Sequence, residues 1–417
     1  MRTSHPTAYG WLWMATTSGA LGEGISLSVL PLIMASLTRD PILVALLQVA
    51  AALPWLLFGL QAGALSDRWD RARVLFVADL VRAALVALLA LLVFLRTASV
   101  TALLIFAFAS SMATIMFRAA DAALLPSLVP SDELARANGR LKAGETVTGS
   151  FVGPASGSVL FAIANWFPLL VQSAAFAASV GCLRRLPHRS EPRPPSGMTL
   201  RSEVTQGLRH VWRDRTLRTL AGATTLQGAG TWMLMAVLVL YCLQTLDAPA
   251  ASYGVLITAY AVGSLIGAGL ASKATAHLSS RTCLTLAALL GGVSILVMAT
   301  TQAFALAATC MATLGIATMV LGVIAVTVRQ LRTPEELLGR VSSAFNVLNV
   351  GSAPVGAPIA GLIGTHYGIP VAVAAAGATF CAAAVLLAIG LQRPKNQDAD
   401  TPSGSNHPTP WLSDRSR

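Results

Sequence analysis

Long apolar runs alternate along the chain with short polar turns, and the polar turns carry nearly all the charge. Twelve runs are long enough to cross a bilayer as helices, at about 1.5 Å of rise per residue. They fall at roughly 9–37, 42–65, 74–95, 100–125, 138–163, 167–183, 219–245, 251–273, 281–300, 303–328, 342–364 and 369–391. The sixth is the shortest apolar stretch. The pattern predicts an all-α membrane protein, because a lipid-embedded backbone must satisfy its own hydrogen bonds.

The polar turns divide into two sets. One set holds Arg68, Arg71 and Arg73, then Arg136 and Arg140, the 184–218 connection, Lys273 and Arg281, and finally Arg329, Arg332 and Arg340. The opposite set holds little beyond Arg39 and Arg96. By the positive-inside rule the rich set faces the cytoplasm, which places both termini there, in a multi-pass protein of the cell inner membrane. A run from Tyr9 to about Leu37 is too long for the core of a signal peptide, so it reads as a retained first helix.

Composition agrees: 55% of the 417 residues are hydrophobic, 11% are charged, and the mean hydropathy is +0.67. Soluble domains carry about 25% charged residues. The formal charge of +11 lies in inter-run turns, so it reads as a topology signal facing anionic lipid, with no nucleic-acid partner implied. No Gly-Lys-Ser or Gly-Lys-Thr phosphate loop occurs, which argues against a nucleotide partner, and no enzyme signature is found. The five cysteines are dispersed without metal-ligand spacing, so no metal or other cofactor is expected.

An internal repeat divides the runs into two groups of six. Pro130-Ser-Asp132-Glu-Leu134-Ala-Arg136 returns as Pro334-Glu-Glu336-Leu-Leu338-Gly-Arg340, and the same offset maps Pro154 on Pro358 and Gly157 on Gly361. Two six-helix bundles related by a pseudo-twofold axis follow, over 1–183 and 219–392. Between them, 184–218 combines a proline-rich segment with an amphipathic stretch whose apolar face is Leu200, Val204, Leu208, Val211 and Trp212, suited to lying on the inner leaflet. The polar tail, 393–417, reads as disordered.

The turn Gly63-Ala-Leu65-Ser-Asp67-Arg68-Trp69-Asp70-Arg71 resembles the G-x-L-x-D-R-x-G-R loop of the major facilitator superfamily, departing from it at Asp70. Gly149-Ser-Phe-Val-Gly153-Pro154-Ala-Ser-Gly157 is similar to the fifth-helix antiporter motif of that family. Glycines four apart share one helix face and admit a neighbouring backbone, and Pro154 permits a bend. The resemblance is to the drug- and siderophore-exporter branch. It implies proton-coupled efflux of small amphiphilic molecules by alternating access, with small-molecule substrate, protons and membrane lipid as partners. A lipid flippase or a transport-inactive sensor are the alternatives. The resemblance also gives Gly63, Asp67, Arg68 and Arg71 a gating role, in which Asp67 contacts the start of the eleventh helix near Ser342–Phe345 and Arg118 of the fourth.

Ionisable residues within spans are costly and are functional candidates by default. Asp79 with Arg82, Arg118 with Asp121, and Lys142 with Glu145 are each three apart, so each pair is expected to neutralise itself on one helix face near the cytoplasmic end, with Asp79, Arg82, Arg118 and Asp121 also expected to take part in the gate. Glu23, flanked by Gly22 and Gly24, has no basic residue within a turn of its own helix. It reads as an isolated acid that binds and releases a proton, with the glycines leaving room for substrate or water; Glu145 is a second candidate. Trp55, Phe58, Phe117, Gln227, Trp232, Asn346 and Asn349 are the candidates for lining a central cavity.

Overall fold

The computed structural model describes residues 6–66, 70–130, 133–186 and 200–391. Thirteen helices account for nearly all of them, and no strand occurs among the described residues. The first bundle comprises α1 (Pro6–Leu37), α2 (Pro41–Ser66), α3 (Arg71–Phe94), α4 (Val100–Leu128), α5 (Leu134–Ile163) and α6 (Phe167–Leu183). After the surface helix α7 (Leu200–Arg213) come α8 (Arg215–Thr245), α9 (Ala250–His277), α10 (Ser280–Thr300), α11 (Phe304–Arg332), α12 (Leu338–Tyr367) and α13 (Ile369–Gly390). Eleven of these are long and apolar enough to span a membrane, and the 17-residue α6 completes the twelve. Large apolar side chains such as Leu88, Ile105, Ile163 and Ile389 point outward from the bundles, as a lipid-facing surface requires.

The repeat seen in the sequence has a structural counterpart. α5 and α12 are both 30 residues long and begin four residues after Pro130 and Pro334. Each joins the two bundles by packing on the second helix of the other half, α5 on α9 and α12 on α2. These junctions are built from small residues. At Gly361 the backbone of Ile42 lies 2.9 Å from where a β-carbon would stand, and Gly254 abuts the Pro154 carbonyl and the Ser158 hydroxyl with the same lack of space. Both contacts lie away from the arginine-rich turns, and Asp40 and Thr365 meet there at 3.3 Å. The bundles are therefore tightly closed at the end remote from the basic turns.

Three local features differ from the sequence reading. The linker is shorter than 184–218, because α8 already starts at Arg215, where Asp214 accepts a hydrogen bond from the Leu217 amide and caps it. The apolar stripe of α7 is split: Val211 is buried in the core of the second bundle, whereas Trp212 is 61% exposed. α7 is docked on α12, with Arg340 donating to Gln206 at 2.6 Å. Asp70, the departure from the family loop, is the N-cap of α3 and accepts from the Ala72 amide at 3.0 Å. That cap gives the acid a structural reason to stand where the family has glycine.

Candidate functional site

The site begins with how α1 crosses α5. Gly24 has no room for a side chain because the Gly149 carbonyl lies against it; a β-carbon at Gly153 would stand 2.6 Å from the Gly24 backbone, and Gly157 meets Ser28. The four-residue spacing of the α5 glycines thus forms one flat face on which α1 rests, as the motif predicts. Its helical register shifts here. Thr146–Val152 is a π-helical turn ending just before Pro154, with the Gly153 amide bonded to Thr148. Pro154 has no amide hydrogen, so the change of register falls where the normal ladder would already be broken.

This crossing places Glu23 beside two arginines from other helices. Arg82 of α3 donates to Glu23 Oε1 at 2.8 Å, and Arg118 of α4 donates to Oε2 at 2.6 Å. The isolation expected for Glu23 is therefore incorrect: its partners lie 59 and 95 residues away and could not be found by local spacing. Of the flanking glycines, Gly24 borders a cavity beside Glu23, whereas Gly22 is closed off. The Phe176 ring lies 2.8 Å from where a β-carbon of Gly22 would stand, and Gly24 also packs on α5.

Behind Glu23 lies a fully buried brace. Asp79 and Arg82 are both 0% exposed and ion-paired as their spacing predicts; Ser179 of α6 donates its hydroxyl hydrogen to the other oxygen of Asp79. The Arg82 guanidinium lies between the rings of Phe117, 4.5 Å away, and Phe176, 4.7 Å away. Paired charge, hydrogen bonds and aromatic faces together offset its desolvation. Lys142 and Glu145 pair at 3.2 Å, also as expected. The third pair does not form. Arg118 is taken by Glu23, and Asp121 keeps a buried Oδ1 with no hydrogen-bond partner among the described residues.

Two cavities follow from this packing. One, about 340 Å³, is bounded by Glu23, Phe117, Arg118, Asp121, Lys142, Glu145 and Gly149. The other, about 440 Å³, lies in the second bundle and is lined by Gln227, Trp232, Asn346, Asn349, Tyr260, Thr318 and Arg329 among others. Five of the seven cavity candidates thus face a cavity; Trp55 and Phe58, half-buried on α2, line neither. Arg329, stacked 5.0 Å over Phe345, and the hydrogen-bonded Tyr260 and Thr318 hydroxyls, at 3.0 Å, were not among the expected residues. Ser179 and Phe176 were also missed; a hydroxyl in a span whose polar residues are few (Gln172, Ser173 and Ser179) was the available sign for the first. In the loop motif, Gly63 lies within α2 and Arg71 opens α3, whereas Asp67 and Arg68 fall outside the described residues, as does any Asp67 contact. The described partner of Arg118 is Glu23, on the wall of the first-bundle cavity.

Twelve spans in two repeated six-helix bundles, meeting through α5–α9 and α2–α12 around polar cavities, define a multi-pass membrane transporter of the major facilitator fold. Among solved structures, a bacterial homologue of the iron transporter ferroportin matches with a TM-score of 0.76 at 16% identity, covering 92% of this chain and 98% of that one. A bacterial homologue of the human lysosomal transporter Spinster matches at 0.73 and 14% identity, covering 93% and 96%. The chain belongs to the transmembrane secretion effector family, whose model matches residues 4–415. It is 27% identical to the multidrug efflux pump Tap of Mycolicibacterium fortuitum over 86% of this chain and 89% of that protein. It is 28% identical to the enterobactin exporter EntS of Citrobacter koseri over 68% of each.

Proposed function

We propose that this protein exports small amphiphilic molecules, such as drugs or siderophores, in exchange for protons. The observation that carries the reading is the cluster of seven ionisable side chains in the first bundle, five of them on the wall of one cavity, beside a second-bundle cavity whose lining is polar and aromatic with Arg329 as its one charged group. Charges placed inside a membrane protein mark ion and substrate paths. Four acids, Glu23, Asp79, Asp121 and Glu145, stand against three bases, Arg82, Arg118 and Lys142, so the cluster has one acid more than it can pair. A proton neutralises that surplus, and a changing proton count is what couples a carrier to a pH difference. The naming of Tap as a multidrug efflux pump and EntS as an enterobactin exporter supports the outward direction.

In this reading the two bundles rock about α2–α12 and α5–α9, and the cavities face the cytoplasm when the remote end is closed. The termini lie in the cytoplasm and the membrane is the cell inner membrane, in line with the arginine distribution. The test is accumulation of a fluorescent amphiphile such as ethidium, alongside a labelled phospholipid, in cells with and without the protein. The expected result is lower ethidium accumulation that reverts when the proton gradient is collapsed. Transfer of the phospholipid with no effect on ethidium would replace export of soluble amphiphiles by lipid translocation.

A further inference from the structure

We propose that Asp121 is the carboxyl that takes up and releases the exchanged proton, and that Glu23 is a fixed brace. The inference rests on the proton coupling proposed above and assigns it to one side chain. Each of the other three acids already has a cationic partner. Both oxygens of Glu23 accept from guanidinium groups, at 2.8 and 2.6 Å. Asp79 is bonded by Arg82 and Ser179, and Glu145 by Lys142 at 3.2 Å. Asp121 lies on the wall of the same cavity, and its Oδ1 is buried with no donor among the described residues.

The groups that surround Asp121 explain why. From its own helix faces Arg118, one turn away, with its guanidinium drawn to Glu23 of α1; from α5 come Glu145 and Lys142; from α3 comes the field of Asp79. Arg118 and Lys142 are the cations of this set, and each is paired with another acid. An ionised oxygen buried without a donor costs free energy, and a bound proton removes most of that cost. Release is equally well provided for. Arg118 is 49% exposed and lies three residues from Asp121, so it can leave Glu23 and pair along its own helix face. The O–H bond of Asp121 then breaks, the proton passes to cavity water, and the carboxylate left behind is met by Arg118. Glu23 retains Arg82, which is held in place by Asp79 and by two aromatic rings.

The experiment is difference infrared spectroscopy on the purified full chain in lipid vesicles, stepped between alkaline and acidic pH. The wild-type protein is expected to gain a protonated-carboxyl band, and Asp121→Asn to lose most of it. Should Asp121→Asn not fold, Asp121→Glu keeps the acid and is expected to shift the position of the band. A band of unchanged size in Asp121→Asn, or of unchanged position in Asp121→Glu, would overturn the assignment. The same vesicles separate this inference from the reading on which it rests. Wild-type ethidium pumping that ignores an imposed pH difference would remove both. Pumping that follows the pH difference in the wild type and equally in Asp121→Asn would remove only the assignment to Asp121. The supporting result is loss of pH-driven pumping in Asp121→Asn by about tenfold or more, together with loss of the protonated-carboxyl band in the same variant.

Discussion

Arg82 is the side chain on which the first bundle's polar interior depends. It pairs with Asp79 and Glu23, stacks between Phe117 and Phe176, and is wholly buried. Removing one member of a buried ion pair leaves an uncompensated charge, at a cost of about 3–5 kcal/mol. Arg82→Met is therefore expected to lower the unfolding temperature of the purified protein sharply, whereas the double change Arg82→Met with Asp79→Asn recovers a large part of it. Thermal unfolding in detergent checks this; equal losses in the single and double variants would contradict a brace built on mutual neutralisation. Glu23→Gln removes the charged partner of Arg82 and of Arg118 at once, so it is expected to reduce stability as well as transport. A loss of transport with unaltered unfolding temperature would instead favour a purely coupling role for Glu23.

Among the helices, the α1–α5 crossing beside Glu23 cannot absorb a larger residue. A β-carbon at Gly153 would fall 2.6 Å from the Gly24 α-carbon, which is backbone and cannot rotate away. Gly153→Val is expected to cost at least the ~1–3 kcal/mol typical of overpacking, seen as loss of folded protein in size-exclusion profiles. Gly139, in the first turns of the same helix, has open space where its side chain would be. Gly139→Ala should leave expression and transport unchanged and raise stability by about 0.5–1 kcal/mol, the usual gain from replacing glycine within a helix. The pair of variants separates glycine needed for close approach from glycine that is merely present. Sequence spacing identified Gly149, Gly153 and Gly157 as one face, but it could not say that this face receives α1 next to Glu23.

For the whole molecule, the closed end makes a mechanical prediction. Asp40 and Thr365 are 3.3 Å apart across the two bundles, and Gly361 and Gly364 let α12 lie against the start of α2. A carrier that works by rocking must separate these residues in each cycle. Cysteines introduced as Asp40→Cys and Thr365→Cys are expected to cross-link under oxidation and stop transport, with activity returning on reduction. Four of the five native cysteines are buried, which limits competing reactions. Transport that continues with the cross-link complete would rule out opening at this end.

The amino-acid sequence by itself determined the spans through hydrophobic periodicity, the two repeated halves through the Pro130 and Pro334 segments, and the basic and non-basic ends through its Lys and Arg, because lipid imposes length and polarity on each helix separately. The same local rule found Asp79–Arg82 and Lys142–Glu145, which are neighbours on one helix. It failed for Arg118–Asp121 and for Glu23, because a side chain within reach of two partners follows the one that the bundle brings nearer. The helix crossings decided that choice: α1 seated on the α5 glycines brings Glu23 between Arg82 and Arg118 and leaves Asp121 as the surplus acid. Pairing across helices depends on distances that no spacing along one strand of sequence contains, so only the tertiary structure could assign it.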